Sequence, residues 1–341
     1  MNKRLDGRDE VILDPDLPII DAHHHLFDHP QMRYMYEEFR EDAEAGHNIV
    51  ASVFIEAKSF LRPDGPEVLR PLGEIEFANG VAAMAASGAY GGLRACAGIV
   101  GFADFRLGDD VGWLLDRAMA AAPDRLRGMR QIIMEHDSDA PYRYFFTGRP
   151  PSGTYHHPKF RDGVRQLAQR GLIFEATGFH GQLPDIAAIA DAFPDMTVIL
   201  NHMTIVMGLD MSAEQRADLF RDWREKLTDI ARRPNVQCKI GGFGLPFWGL
   251  GLEGREDAIG YEELAEAWRP MVETAIELFG PDRCMMESNF PPDARTCGYV
   301  PLWNAFKHIT RDCSASERAA LFHDTAARTY RLDLPSSTPG R

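Results

Sequence analysis

The chain has 341 residues, 45% of them hydrophobic, with Lys+Arg 37 against Asp+Glu 51 and a formal net charge of −14. That length allows two average domains or one large α/β barrel, and the acidity argues against nucleic acid or an anionic membrane as main partner. Five scattered cysteines without a C-x-x-C pair indicate neither a zinc knuckle nor a disulfide framework. The lack of a secretory signal or an uninterrupted apolar run points to a reduced, cytoplasmic protein.

Residues 1–17 read as an arm, and the first strand runs Pro18-Ile19-Ile20-Asp21-Ala22-His23-His24-His25-Leu26. Alternation puts Asp21, His23 and His25 on one face, with Ala22 and His24 on the other. Imidazoles two residues apart on a strand can point at a common atom, which is one way to hold a divalent metal. The plainer reading is a surface histidine cluster at a strand end.

An apolar strand, a polar loop and an amphipathic helix then repeat: strand 47–57 and helix 74–87, strand 93–103 and helix 110–121, strand 127–135. A long loop, 137–157, precedes helix 159–170, strand 172–177, helix 184–193, strand 197–202, helix 213–232 and strand 235–240. A second long loop, 241–260, is rich in glycine and precedes helix 262–279, strand 283–288 and closing helices at 299–310 and 315–331. The tail, 333–341, reads as disordered. Eight strands alternating with helices, at roughly forty residues per unit, predict a single α/β domain over 18–332, a (β/α)8 TIM barrel with long loops after strands four and seven. The rival, a doubly wound sheet, lacks a G-x-G-x-x-G turn after the first strand.

Active sites of such barrels lie at the carboxyl ends of the strands. Polar residues recur there: His23 and His25, Arg130 on strand four, His180 beyond strand five, Asn201-His202 ending strand six and Glu287-Ser288-Asn289 ending strand eight.

These residues carry a resemblance to the amidohydrolase superfamily, of the amidohydrolase-2 type, and within it to the branch of sugar-acid lactonases, 2-pyrone-4,6-dicarboxylate lactonase and aminocarboxymuconate semialdehyde decarboxylase. It spans Ile19 to about Leu332, with Asp21-x-His23-x-His25 as its most specific element. Gly128-Met129-Arg130, Gln182-Leu183-Pro184, Leu200-Asn201-His202, Val236-Gln237-Cys238-Lys239 and Ser288-Asn289-Phe290-Pro291 support it. The resemblance implies that His23, His25 and a downstream histidine, His180, ligate one divalent ion, zinc ahead of manganese or iron. It also implies that the acid of the strand-eight motif activates water.

The chain departs from the family at that acid, carrying Asn289 where Asp is usual. An amide accepts no proton near neutral pH and is the weaker ligand, so the metal itself becomes dispensable to the reading. His202 and Asp293 are the replacement bases, ahead of Glu287, whose other reading is a buried partner for Lys239 or another barrel cation. Arg130 would grip a substrate carboxylate through two parallel hydrogen bonds, or else pair internally with Glu56 or Glu175. Tyr155 on the first long loop and Trp248 on the second are substrate-binding candidates. Aromatics on these glycine-hinged loops fit a lid over the site or a contact in a homo-oligomer such as a homodimer.

The sequence thus predicts a hydrolase of a small carboxylated cyclic ester, a lactonase, with His202, Asn289 and Asp293 at the chemistry. An amide or imide hydrolase, a non-oxidative decarboxylase of an aromatic or muconate-like acid, and a non-catalytic ligand-binding barrel are the alternatives.

Overall fold

The computed structural model describes residues 7–30, 32–145, 148–255 and 257–334. Strands β1 (Pro18–His24), β2 (Asn48–Ile55), β3 (Arg94–Phe102), β4 (Leu126–Ile132), β5 (Ile173–Thr177), β6 (Val198–Leu200), β7 (Val236–Ile240) and β8 (Cys284–Met286) form one parallel sheet in sequence order. The segment beyond β8 brings the two edges together: Asn289 N–H donates to the His23 carbonyl at 2.9 Å, and His25 N–H to the Phe290 carbonyl at 2.8 Å. The result is the predicted (β/α)8 barrel, nearly closed, its last seam made by the residues of the strand-eight motif.

Around it lie α1 (Tyr36–Ala43), α2 (Leu72–Ala86), α3 (Val111–Ala121), α4 (Phe160–Gln169), α5 (Leu183–Ala192), α6 (Ala213–Ala231), α7 (Tyr261–Phe279) and α8 (Tyr299–Ile309). α6 starts where Ser212 and Gln215 cap each other's backbone N–H groups. Two stretches differ from the sequence reading. A short antiparallel hairpin, Phe27–His29 with Met32–Tyr34, and α1 fill a span with no strand-helix pattern. The expected final helix is broken into α9 (Ala315–Ala319), a wider turn (Ala320–Asp324) and α10 (Thr325–Thr329).

Inside the barrel Ile20, Ala22, Val53, Val100, Ile173, Ile199 and Met285 form a buried apolar plug, and Tyr330 closes it from below. Next to Tyr330, Lys239 Nζ donates to both oxygens of Glu175, at 3.0 and 2.8 Å, and the Tyr330 hydroxyl donates to the same carboxylate. Burying an ion pair is tolerable only when its charges are matched and its lone pairs used, and Glu175 has three such donors once Asn201 Nδ2 is added at 2.6 Å.

The arm is docked on α8: Leu13 N–H donates to Asn304 Oδ1 at 2.9 Å, and Lys307 Nζ donates to the Leu13 and Asp14 carbonyls at 2.8 and 2.9 Å. Leu334, at the start of the tail, packs against the plug, whereas residues 1–6 and 335–341 lie outside the described residues. Among the described residues no helix is long and apolar enough to cross a membrane.

Candidate active site

At the carboxyl ends of the strands lies a cavity of about 280 Å³. His25, Glu56, Arg130, His202 and Asn289 form its polar side, and Met134, Ile205, Leu245 and Phe247 contribute apolar wall. The two long loops meet over it: Tyr144 and Phe145 of the first stand 6.0 and 5.7 Å from the ring of Phe247 of the second. Of the two roles the sequence left open for these aromatics, a lid or an oligomer contact, their place on the cavity wall matches the first.

Strict alternation does not hold at the end of β1. Its pairing with β2 shifts register between Asp21 and His24, so Ala22 stays in the inner plug while His23 and His25 both turn to the inside of the barrel, where His25 lines the cavity and His23 lies behind it. Asp21 parts from them and accepts from Ser288 N–H (2.9 Å), Ser288 Oγ (2.6 Å) and the Tyr299 hydroxyl (3.0 Å) of the helix layer. Burial pushes its carboxyl up to about 6, against the pull of those donors. His24 stacks on Phe39 of α1 at 4.1 Å and meets Ser52 Oγ at 2.9 Å, outside the barrel wall.

His25 Nδ1 lies 2.8 Å from the Ile55 carbonyl; a carbonyl can only accept, so Nδ1 carries the proton and Nε2 presents its lone pair. That Nε2 is 3.1 Å from His23 Nε2. Burial, reinforced for His25 by Arg130 and for His23 by Lys239, His202, His25 and Arg130, holds both imidazoles far below their ordinary range and therefore neutral. Two neutral lone pairs at this separation invite a cation.

Glu287 is the hub behind them. Its Oε1 is 2.6 Å from His202 Nδ1 and its Oε2 2.9 Å from His23 Nδ1, though the second pair is misaligned and both of its atoms lack a hydrogen-bond partner. The donor atoms of His23, His202 and Glu287 lie within 4.8 Å of one another and form a possible metal site. Two candidate donor sets therefore share His23. Imidazole nitrogens with a carboxylate beside them make a set that zinc accepts, so the residues present fit a divalent ion.

The backbone here is strained in one place after another. His202, Met203 and Thr204 have φ of 53, 56 and 56°, and Asn289 has φ 50°, a left-handed region that non-glycine residues rarely occupy and that clusters at functional sites. Gly242, at φ 70°, passes so close that a Cβ there would meet His202 Nδ1 at 2.6 Å; only glycine lets the loop after β7 close on the imidazole.

Arg130 is internally committed. Its Nε donates to Glu56 Oε1 at 2.9 Å, one terminal nitrogen to the Glu56 carbonyl at 2.6 Å, and the other to Asn201 Oδ1 and His23 Nε2 at 3.3 Å each. Of the two partners foreseen for it, Glu56 is the one it takes, whereas Glu175 pairs with Lys239.

Of the sequence candidates, His23, His25, His202, Arg130 and Asn289 come together. Asp293 lies behind Asn289, accepting from its Nδ2 at 2.6 Å and from Gly244 N–H at 2.9 Å; burial raises its carboxyl well above the usual range. It orients Asn289 and does not line the cavity. His180 is absent from the cluster, because the turn before α5 swings its Nε2 to Asp222 of α6 at 3.2 Å. Tyr155 packs on Phe160 of α4, 5.3 Å between rings, and Trp248 donates from its indole to the Gly242 carbonyl at 2.9 Å. Both support loops and neither lines the cavity. Lys58, His29 and Arg295 line it without having been singled out. Lys58 stands just past the end of β2, a position that a barrel makes suspect in its own right.

The amidohydrolase family model matches residues 20–332. The uncharacterized protein y4mH of Sinorhizobium fredii is 35% identical over 93% of this chain and 99% of its own length. An L-fucono-1,5-lactonase of Burkholderia multivorans is 26% identical over 70% of this chain and 73% of that protein. Among solved structures, an amidohydrolase of Burkholderia multivorans with bound zinc superimposes with a TM-score of 0.67 at 22% identity, covering 92% of this chain and 99% of that one.

Proposed function

The chain belongs to the amidohydrolase family, and from that premise we propose that it hydrolyses a small cyclic ester bearing a carboxylate. The observation that carries the reading is the His202–Glu287 pair, 2.6 Å apart, with the His202 ring on the cavity wall. A carboxylate accepting from Nδ1–H fixes the tautomer, so Nε2 is the basic nitrogen and is free to take a proton from water. That water adds to the ester carbonyl, and the tetrahedral adduct collapses by breaking the ring C–O bond. The departing ring oxygen takes up the proton held by His202, leaving an open-chain hydroxy acid. Arg130, fixed beside His23, supplies a positive charge for the developing oxyanion, and Asn289, oriented by Asp293, supplies an amide where the family's usual acid would stand. A divalent ion would be held by the facing His23 and His25 nitrogens and would supply Lewis acidity to the carbonyl. Lys58 and Arg295 on the cavity wall favour an anionic substrate, and the relatives named as lactonases support a lactone.

Proton release with carboxylated γ- and δ-lactones tests the reading. Turnover that falls by about 10³-fold in His202→Gln, the middle of what one acid–base group contributes, is the expected result. No turnover of any lactone by protein reconstituted with zinc would sink it.

A further inference from the structure

Beyond β2 the backbone is forced twice in three residues: Lys58 has φ 53° and Phe60 φ 52°. Neither is glycine or asparagine, so something holds them there, and strain of this kind is a pointer to function. Helix α2 does the holding. One oxygen of Glu74, Oε1, accepts the N–H groups of both residues flanking Lys58, Ala57 and Ser59, at 2.9 Å each. One helical turn on, the Phe77 ring stacks on Phe60 at 4.0 Å. Glu74 is itself buried, 1% exposed, so its carboxyl is spent on the loop and not on solvent.

The outcome is that Lys58 lines the cavity. Its ammonium lies 4.7 Å from the centre of the Phe102 ring and, among the described residues, has no carboxylate partner within ion-pair distance. The other strand-borne cation there, Arg130, is already matched by Glu56. An unmatched ammonium on a largely apolar wall is the complement of an anion.

We propose that Lys58 anchors the carboxylate of the substrate and is aimed into the cavity by Glu74, making this pair the selector for acidic over neutral ring esters. The inference rests on the lactone reading and adds to it the group that chooses among lactones.

The test uses paraconate, a γ-lactone with one carboxylate, and its neutral amide, with methylsuccinate, the deoxy ring-opened product of paraconate, as a binding probe. Wild-type protein should favour paraconate over the amide in kcat/KM by about tenfold or more, the scale of a hydrogen bond to a charged group. In Lys58→Met that ratio should fall to about one, mainly through KM, and methylsuccinate binding measured by calorimetry should weaken by a similar factor. Glu74→Gln, which keeps an oxygen for the two N–H groups, should retain the preference, while Glu74→Leu should lose it. A Lys58→Met protein that loses kcat equally on both lactones would overturn the anchor in favour of a role in the chemical step. Wild-type protein that neither discriminates between the lactones nor binds methylsuccinate would overturn it as well. If no lactone turns over but methylsuccinate binding depends on Lys58, the anchor stands and the lactone reading falls.

Discussion

Replacing Glu287 with glutamine removes one charge where two imidazoles converge and leaves the geometry in place. The carboxylate accepts from His202 Nδ1 at 2.6 Å while facing His23 Nδ1 at 2.9 Å; an amide has one oxygen for two such neighbours and turns an N–H toward the other. In the proposed reaction His202 becomes positively charged on taking the water proton, so the missing charge is felt most in the transition state. A hydrogen bond to a charged group is worth about 1.5–3 kcal/mol net, which becomes a fall in kcat of about 10- to 150-fold. KM should move little, because Glu287 is 0% exposed and does not touch the cavity. The assay is proton release on paraconate, with melting temperature and zinc content measured on the same preparations. A folded Glu287→Gln protein whose kcat stays within about threefold of wild type, too small for one charged hydrogen bond, would refute the dyad.

Lys239→Met should cost about 3–5 kcal/mol in urea unfolding, because it leaves Glu175 buried and without its cation, and adding Glu175→Gln should recover part of that loss. Glu74 gives a pH signature: burial first, then the nearby Glu56, pushes its carboxyl from 4.5 up to about 8. The folded chain therefore holds the proton more tightly than the unfolded chain between those values, and stability falls as pH rises through that window. Glu74→Gln should flatten this part of the profile, seen as urea midpoints that differ less between about pH 5 and about pH 8.

The barrel was legible because each strand is a short apolar run followed by a polar loop and a helix-period stretch, and that rhythm survives without any knowledge of contacts. His23, His25 and His202 were legible because apolar strands deliver them to one end. What the pattern could not carry is local backbone geometry. A register shift moved Asp21 away from the histidines it seemed to accompany, and a turn carried His180 to Asp222. Glu287 looked like a deep structural acid, and it is deep; its depth is what lets it reach two imidazoles at once. Lys58 was hidden because a left-handed residue leaves no mark on hydrophobic periodicity.

Tyr330 has a consequence for the order in which the protein can be made. Its hydroxyl donates to Glu175, 155 positions upstream, and Glu175 in turn steadies Asn201, which accepts from Arg130. During synthesis the strands that carry the cavity emerge well before residue 330, yet the acid at the barrel floor lacks its last donor until that residue has left the ribosome. A nascent barrel can collapse early, since domains begin folding on the ribosome, but the contacts behind Arg130 are complete only once Tyr330 is in place. Proteolytic nicking between α9 and Tyr330 should therefore disturb a site at the opposite mouth of the barrel, through a chain of polar contacts running the length of its interior.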